Sequence, residues 1–325
     1  MKRLQTIPAV FLALVLVEQS HARAPVERGA ASTCALIPLE GAVGLSPDLE
    51  HSFSAADFRD CLEAASNSRV DTIVVYLNSP GGRVDSKESI MRELLVMRAK
   101  GLRTVAIIQD AGSAAALIAL ACSEWYVLPG ARLGAAATVL VSPQGTVSFD
   151  RAFRDDPTLA AKYKSFASAA DNEACRATGR SLDLALAMKE RDATLFFTQG
   201  QGFSKERRDE SSIELDSKET ILTLTATQLQ QFGLAKPAAS LEQAMKEIGQ
   251  FDPKLTQKLK SAIRKSCGKL ERLLKTRARL IAERNSIPDR WANKQTESAR
   301  ESARKSKSEL IDRNGRDILE LLQTP

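Results

Sequence analysis

The chain has 325 residues, of which 43% are hydrophobic and 26% are charged, and its net charge is +6. This composition excludes a disordered or fibrous protein and is long enough for one large or two small domains. Beyond the N-terminus, no apolar run approaches the roughly 20 residues that a membrane helix needs, which excludes a multispanning membrane protein. None of the five cysteines has the pair spacing of a zinc site, so no metal is indicated.

The N-terminus has the pattern of a targeting segment. Met1-Lys2-Arg3 is positively charged, residues 7–17 are apolar, and Ser20-His21-Ala22 offers small residues for cleavage. The apolar run is about half the length of a membrane span. Residues 1–22 are therefore predicted to be a cleaved signal peptide, with an uncleaved anchor as the alternative. The mature chain is expected to be exported, either periplasmic or secreted.

Export would permit disulfide bonds. Cys34 and Cys61 flank the first predicted strand–helix unit, so they are the first pair to test. Cys122 lies in an apolar run and is expected to be a buried thiol. An odd number of cysteines leaves at least one unpaired.

The first half of the chain alternates between strand and helix patterns. Strands are predicted at 33–41, 71–77, 104–108 and 124–128, and helices at 54–67, from Asp85 or Ser86 to Lys100, and at 113–122. Turns are predicted at 78–82, at 109–112 and at Pro129-Gly130, which closes the last of these strands. Residues 131–141 are rich in small side chains and are expected to line a close approach. This alternation predicts an α/β fold with a largely parallel sheet.

The second half is less regular. Helices are predicted at 157–179, 182–195, 228–232 and 241–248, a short strand at 221–227, and a polar loop or insertion at 200–218. The composition changes at Asp252-Pro253. We therefore predict one domain over 33–250 and a helical extension over 253–325.

The predicted extension is strongly basic, with 19 Lys or Arg against 9 Asp or Glu from Pro253 onward. Apolar side chains between Leu259 and Leu280 form a weak heptad pattern. Such a helix could dock on its own domain, or it could bind a membrane surface or a protein partner. Trp291 is its one aromatic residue, so nucleic-acid binding is not expected.

Ser113 is the one reactive side chain in an otherwise apolar segment. It begins a helix with no polar face, after a short β-branched strand. A serine at such a corner, beside free backbone amides, is either a nucleophile or simply the N-cap of the helix. His51 is the only histidine outside the predicted signal peptide, so a base other than histidine must be considered.

Three motifs together resemble a known family. They are Leu-Asn-Ser-Pro-Gly-Gly at 77–82, the Ser113 segment Ala-Gly-Ser-Ala-Ala-Ala-Leu-Ile-Ala-Leu-Ala-Cys at 111–122, and Tyr-Val-Leu-Pro-Gly-Ala-Arg-Leu-Gly-Ala-Ala at 126–136. Their order and separation resemble the Clp-protease/crotonase superfamily, and within it the NfeD-type membrane-associated serine proteases, relatives of signal peptide peptidase A. The resemblance covers about 33–250, and residues 221–235 match the end of that protease domain.

The resemblance implies a spiral of ββα units, self-assembly into a homo-oligomer, and a Ser–Lys dyad that cleaves hydrophobic polypeptides. Ser113 falls on the nucleophile position. Lys162 takes the position of the base, at the family's distance before Gly179-Arg180, and Lys164 is the alternative base. The oxyanion site would consist of the amides of Gly82 and Ala114, with Gly81 shaping the turn.

The residues around these positions agree with that chemistry. A Ser–Lys mechanism needs an uncharged amine, which apolar surroundings favour, and Lys162 is flanked by Ala160, Ala161 and Tyr163. No metal or cofactor is implied. The chain departs from the family in having Ala115 where a glycine usually follows the serine, and a basic helical extension in place of membrane-spanning and small barrel parts.

Two other functions remain open. One is a catalytically inactive scaffold that binds a partner or a membrane through its basic extension. The other is a crotonase-like acyl-CoA enzyme, which would need carboxylates in the pocket and access to CoA.

Overall fold

The computed structural model describes residues 32–48, 51–142, 145–217, 220–287 and 294–323. These ranges all belong to one compact unit, residues 31–325. The predicted signal peptide, residues 1–22, lies outside the described residues. No helix in the described ranges combines the length and the apolarity needed to cross a bilayer.

The strands, in chain order, are β1 (Thr33–Glu40), β2 (Ala42–Val43), β3 (Ser52–Phe53), β4 (Thr72–Ser79), β5 (Arg103–Gly112), β6 (Glu124–Gly134), β7 (Val139–Ser142), β8 (Gly145–Ser148), β9 (Leu195–Thr198), β10 (Gly202–Ser204), β11 (Ile213–Asp216), β12 (Thr223–Thr225), β13 (Lys236–Pro237) and β14 (Gln250–Phe251). The helices are α1 (Ala55–Asn67), α2 (Val84–Ala99), α3 (Ala114–Leu120), α4 (Phe149–Ala152), α5 (Pro157–Thr178), α6 (Leu182–Ala187), α7 (Ala226–Gln231), α8 (Leu241–Ile248), α9 (Pro253–Ala262), α10 (Lys265–Asn285) and α11 (Lys294–Gln323).

A central sheet with the order β12-β6-β5-β4-β1-β14 organises the fold, and β13 pairs with β6 outside this path. The pairs from β14 through β6 are parallel, while β12 runs antiparallel to β6. Ile73, Val74 and Val75 in β4 are fully buried because both faces of the sheet are covered. The predicted α/β class with a basic helical C-terminal extension is confirmed.

The two sheet faces form separate cores. The larger core includes α1, α2 and all of α3, and the smaller packs β1, β4 and β5 against α8. Every residue of α3 is buried, as expected for a helix with no polar face. This helix is shorter than predicted and begins at Ala114, which leaves Ser113 at its entry.

Two predicted turns are wrong because the strands continue through them. Residues 109–112 belong to β5, and Pro129-Gly130 belong to β6. The pairing jumps from Ile108–Val127 to Asp110–Arg132, so the irregularity in register absorbs the turn-forming residues. Because β5 continues to Gly112, Ser113 follows directly at the carboxyl end of this strand.

The region after α5 also differs from the prediction. The helix predicted over 182–195 ends at Ala187, and the predicted loop at 200–218 contains two strands of a three-stranded antiparallel sheet, β10-β9-β11. The rings of Phe197, Phe203 and Phe232 pack with centroids 4.6 to 6.1 Å apart. These ring contacts give the short sheet an apolar face, which the mostly polar sequence of 200–218 did not indicate.

The suggested Cys34–Cys61 disulfide is not formed, and all five cysteines are buried thiols outside any disulfide. Cys34 belongs to the smaller core and Cys61 to the larger, so the two lie on opposite faces of the sheet. Burial raises the pKa of Cys61 and of Cys122 to about 12. Both therefore remain protonated thiols within the core.

The C-terminal helices pack on the domain rather than forming one continuous coil. Leu255 and Leu259 of α9 enter the larger core. The chain then turns at Ile263–Arg264, and α10 and α11 form a helical hairpin. Asp57 of α1 accepts hydrogen bonds from the amide and hydroxyl of Ser266, which fixes the start of the hairpin. The domain boundary at Pro253 stays a prediction.

Candidate active site

Ser113 has an unusual backbone conformation, with φ 52° and ψ −123°. A residue with a Cβ rarely adopts these angles, at a cost of about 1–3 kcal/mol. The hydrogen bond from its amide to the carbonyl of Gly134, at 2.8 Å, holds it there. Strain of this kind presents a side chain at a sharp strand-to-helix corner.

The alternative that Ser113 acts only as a helix cap is not supported by the geometry. Within the described residues, its side chain makes no capping hydrogen bond to α3. The hydroxyl is therefore available to face the adjacent cavity, which Ser113 lines.

Gly81 is the residue that approaches Ser113 most closely from the neighbouring loop. A Cβ placed on Gly81 would lie 2.5 Å from the Cβ of Ser113 and 2.8 Å from the carbonyl oxygen of Gly112. Its φ of +100° also favours glycine. The amide of Gly81 donates to the Ser79 hydroxyl at 3.1 Å, so Gly81 shapes the turn rather than offering a donor to a ligand.

Gly82 presents its amide in a fixed direction. Val43 bridges to this loop by donating to the carbonyl of Gly81 at 2.9 Å and accepting from the amide of Arg83 at 2.8 Å. In a parallel bridge of this kind, the N–H of the middle residue points away from its partner. The Gly82 amide therefore points away from Val43, while Gly82 lines the same cavity as Ser113.

Ala114 offers a second amide. As the first residue of α3, it is among the helix N–H groups that have no partner within the helix. Gly82 and Ala114 therefore supply donors on two walls of one cavity, beside a serine hydroxyl. This arrangement can stabilise the negative oxygen of a tetrahedral intermediate.

The cavity at Ser113 is small, with a volume of about 60 Å³. That is room for about two water molecules. Residues 136–139 form one wall of this cavity, as expected for a segment of small side chains that lines a close approach. A larger cavity of about 320 Å³ adjoins it and shares Ala137, Thr138, Ala167 and Lys189.

Two lysines, the buried Lys87 and the partly buried Lys189, also line the Ser113 cavity. The ammonium of Lys87 lies 2.8 Å from one carboxylate oxygen of Asp171, and that of Lys189 lies 2.7 Å from the other. The side chains of Lys87, Asp171 and Lys189 are only 3%, 2% and 11% exposed. The carboxylate of Glu88 also lies 4.0 Å from the Lys87 ammonium, so Lys87 has two acidic partners while Lys189 shares only Asp171.

Local contacts hold Lys189 in place. The amide of Ala136 donates to the carbonyl of Met188 at 2.6 Å, which brings the following residue, Lys189, to the cavity wall. The Ser168 hydroxyl accepts from the Lys189 ammonium at 2.7 Å. Lys189 also lines the larger cavity, so it lies where the two cavities meet.

The two lysines favoured by the sequence lie elsewhere on α5. Lys162 is on the exposed face of the helix and is not among the residues lining the Ser113 cavity. Lys164 forms an ion pair with Glu190 at 3.2 Å and lines the larger cavity. The structure therefore brings together Ser113, Gly81, Gly82 and Ala114, but it does not bring Lys162 to them. The pairing of Ser113 with either lysine stays a prediction.

His51 does not complete the site. The ring Nδ1 of His51 is 3.1 Å from the guanidinium of Arg264, and His51 lines a separate cavity. Among the described residues, no three His, Cys, Asp or Glu side chains come together as a metal site would require.

Sequence reasoning missed Lys87, Asp171 and Lys189. A signal was present for Lys87, because it continues the apolar stripe of Ile90 and Leu94 by one turn and is buried with it. Asp171 likewise falls on the buried face of α5 with Ala174. A charged residue on an apolar stripe is costly to bury unless it is paired. Lys87 and Asp171 pair with each other.

The family model described as NfeD1b, N-terminal domain, matches residues 42–257. No curated protein matches the sequence. Two similar solved structures are of the 1510-N membrane-bound stomatin-specific protease. The first, a serine-to-alanine mutant, is 16% identical, with a TM-score of 0.46, covering 67% of this chain and 85% of that one. The second, a lysine-to-alanine mutant with a substrate peptide, is 16% identical, with a TM-score of 0.44 and coverages of 67% and 80%.

A third similar structure is a mutant of ClpP1 from Listeria monocytogenes. It is 13% identical, with a TM-score of 0.37, and the match covers 65% of this chain and 95% of that one. At these identities the likeness concerns the fold alone.

Proposed function

Because the chain belongs to the NfeD1b N-terminal domain family, we propose that it is a serine peptidase in which Ser113 attacks the carbonyl of a peptide bond. The observation that carries this proposal is the strained Ser113, whose cavity is also lined by Gly82 and Ala114. Their amides would hold the oxyanion, and each donor of this kind is worth about 3 kcal/mol in the transition state.

Lys189 is the amine that best fits the role of base. It lines the Ser113 cavity together with Lys87, but it is the more accessible of the two and also borders the larger cavity, where substrate would enter. Lys189 is an ammonium ion paired with Asp171 in the structure, so this mechanism requires it first to give up one proton to solvent. The uncharged amine then takes the proton from the Ser113 hydroxyl as the acyl bond forms and gives it to the leaving amine. Lys162 and Lys164 remain the alternatives that the resemblance suggests.

The proposed substrate is an apolar polypeptide segment. Ala136, Ala137 and Leu117 line the Ser113 cavity, and the exposed side chains of Val84 and Val139 lie at it. Apolar surface that is exposed beside a cavity is typical of a binding site. Export and assembly into a homo-oligomer are part of the same proposal, and a neighbouring subunit would be one way to bring a Lys162 amine to the site.

A fluorophosphonate probe tests the proposal directly, because it labels an activated serine. We expect the wild-type chain to label and Ser113→Ala not to label. Lys189→Arg should also lose labelling, because arginine keeps the charge next to Asp171 but cannot serve as a base. Lys87→Arg is the matched control within the same ion cluster, and Lys162→Arg tests the base implied by the resemblance.

The outcomes separate the candidates. Labelling lost in Lys162→Arg and kept in Lys189→Arg would assign the base to α5 and overturn the choice of Lys189. A wild-type chain that never labels while it is folded would favour the inactive scaffold, a function compatible with the fully ion-paired Lys87, Asp171 and Lys189. Circular dichroism on every variant would verify that it is folded.

A further inference from the structure

Arg83 joins the loop that carries Gly82 to the C-terminal end of the chain. Its Nη1 donates to the carbonyl of Leu322, in the last turn of α11, at 2.7 Å. Its Nε and Nη2 bind the carboxylate of Asp85 at 3.0 and 2.5 Å. A cation is favourable at a helix C-terminus, where the last carbonyls lack partners within the helix.

A second connection runs through the segment next to Gly82. Val43 bridges to Gly82, and two residues later Leu45 is buried in a cluster from the helical hairpin. The other buried members of this cluster are Cys267, Leu270, Ile318 and Leu321. Gly44 lies against Arg83, since a Cβ on Gly44 would be 2.6 Å from the Cδ of Arg83. The end of the hairpin thus contacts the Gly82 loop both by a hydrogen bond and through apolar packing.

We propose that the last turn of α11 positions the oxyanion donor, with Arg83 and Leu45 transmitting the contact to Gly82. This inference rests on the proposed function, because it concerns the amide that would bind the oxyanion. Arg83 is a positioning residue in this scheme and touches no reacting atom.

The loop needs such support because of its own sequence. Gly81 and Gly82 are adjacent, and glycine has the largest backbone freedom to lose on ordering. An oxyanion donor is effective only when it lies about 2.7–3.1 Å from the developing charge. Contacts from outside the loop therefore have to fix the direction of the Gly82 amide, and the C-terminal hairpin supplies two of them.

The test compares two leucines that are buried to the same degree in the same hairpin. Leu321 is 9% exposed and lies in the cluster around Leu45, while Leu280 is 8% exposed and lies toward the far end of α10. Full-length Leu321→Ala, Leu280→Ala, Arg83→Ala and Arg83→Lys would be compared with wild type and Ser113→Ala. The readouts are the rate of fluorophosphonate labelling, the Tm, and hydrogen exchange of the 80–86 segment.

We expect Leu321→Ala and Arg83→Ala to label at least about tenfold more slowly than wild type. A misaligned Gly82 amide would lose part or all of its stabilisation of the oxyanion. Exchange of the 80–86 segment should speed up in the same variants. Arg83→Lys should retain part of the rate, and Leu280→Ala should lower the Tm by a similar amount to Leu321→Ala while labelling at the wild-type rate.

Three outcomes would overturn the inference. If Leu321→Ala and Arg83→Ala label and exchange as wild type does, α11 does not position Gly82, although the serine hydrolase stands. If Leu280→Ala slows labelling as much as Leu321→Ala, the effect is one of stability alone. A folded wild-type chain that never labels overturns the proposed function and this inference with it.

Discussion

The backbone of Ser113 gives a prediction that does not depend on any substrate. Ser113→Ala and Ser113→Gly both remove the hydroxyl, and they differ only in the Cβ. At φ 52° and ψ −123°, that Cβ costs about 1–3 kcal/mol. Glycine loses about 0.5–1 kcal/mol more than alanine in backbone entropy. Ser113→Gly should therefore be more stable than Ser113→Ala by about 1 kcal/mol.

The matched control is an ordinary helix position. Ala169 is exposed near the middle of α5, where Ala→Gly should destabilise the protein by about 1 kcal/mol. The change from alanine to glycine should therefore stabilise the protein at position 113 and destabilise it at position 169. Thermal denaturation would measure it, since about 1 kcal/mol corresponds to about 2–4 °C in Tm for a domain of this size.

One result would show that the Ser113 backbone is unstrained. If Ser113→Gly melts below Ser113→Ala by as much as Ala169→Gly melts below wild type, the backbone at Ser113 carries no strain. In that case the serine would lose its main structural distinction from a helix cap.

Three further predictions concern other parts of the fold. Gly82→Ala should slow serine labelling by about a hundredfold, because its Cβ would lie 2.2 Å from the Val43 carbonyl oxygen. Gly101→Ala, also at a positive φ but with no atom within 4 Å of the added Cβ, should label normally; equal labelling rates in the two variants would contradict the role of Gly82. Arg103, followed by Lys236, lowers the pKa of Glu124 to about 2 from 4.5, so the folded state keeps this carboxylate charged after the unfolded state has bound a proton. The free energy of unfolding should therefore fall by about 2 kcal/mol as the pH drops from about 5 to 2. Urea titrations at several pH values would measure this, and Glu124→Gln should lose that part of the pH dependence; an unchanged pH dependence in Glu124→Gln would refute the ion pair. The cysteines should resist iodoacetamide at pH 8 in the native protein and react after unfolding, as mass spectrometry would measure, because all five thiols are buried; rapid native labelling would contradict the core packing.

Local patterns were sufficient for much of the architecture. The apolar run of β4, the helical spacing of α1 and the predicted helix over 157–179, close to the observed α5, each depend on a few neighbouring residues, so they can be read without knowing the fold. The polar segment at 200–218 misled the prediction, because its strands depend on distant aromatic contacts such as that of Phe203 with Phe232. A short sheet of this kind is stabilised by its partners rather than by its own propensity.

The candidate site, like the fold, was predictable from the sequence only in part. The sequence alone determined that Ser113 heads a buried helix and that a Pro-Gly-Gly turn follows the neighbouring strand, because parallel strands bring their carboxyl ends to one edge of a sheet. Which amines share the cavity depends on tertiary packing, since Lys87 and Asp171 are 84 residues apart and lie on different helices. The position of the last turn of α11 beside Arg83, 239 residues away along the chain, was likewise beyond any local pattern. Contacts between distant elements follow from how the whole core packs, and no short stretch of sequence encodes that packing.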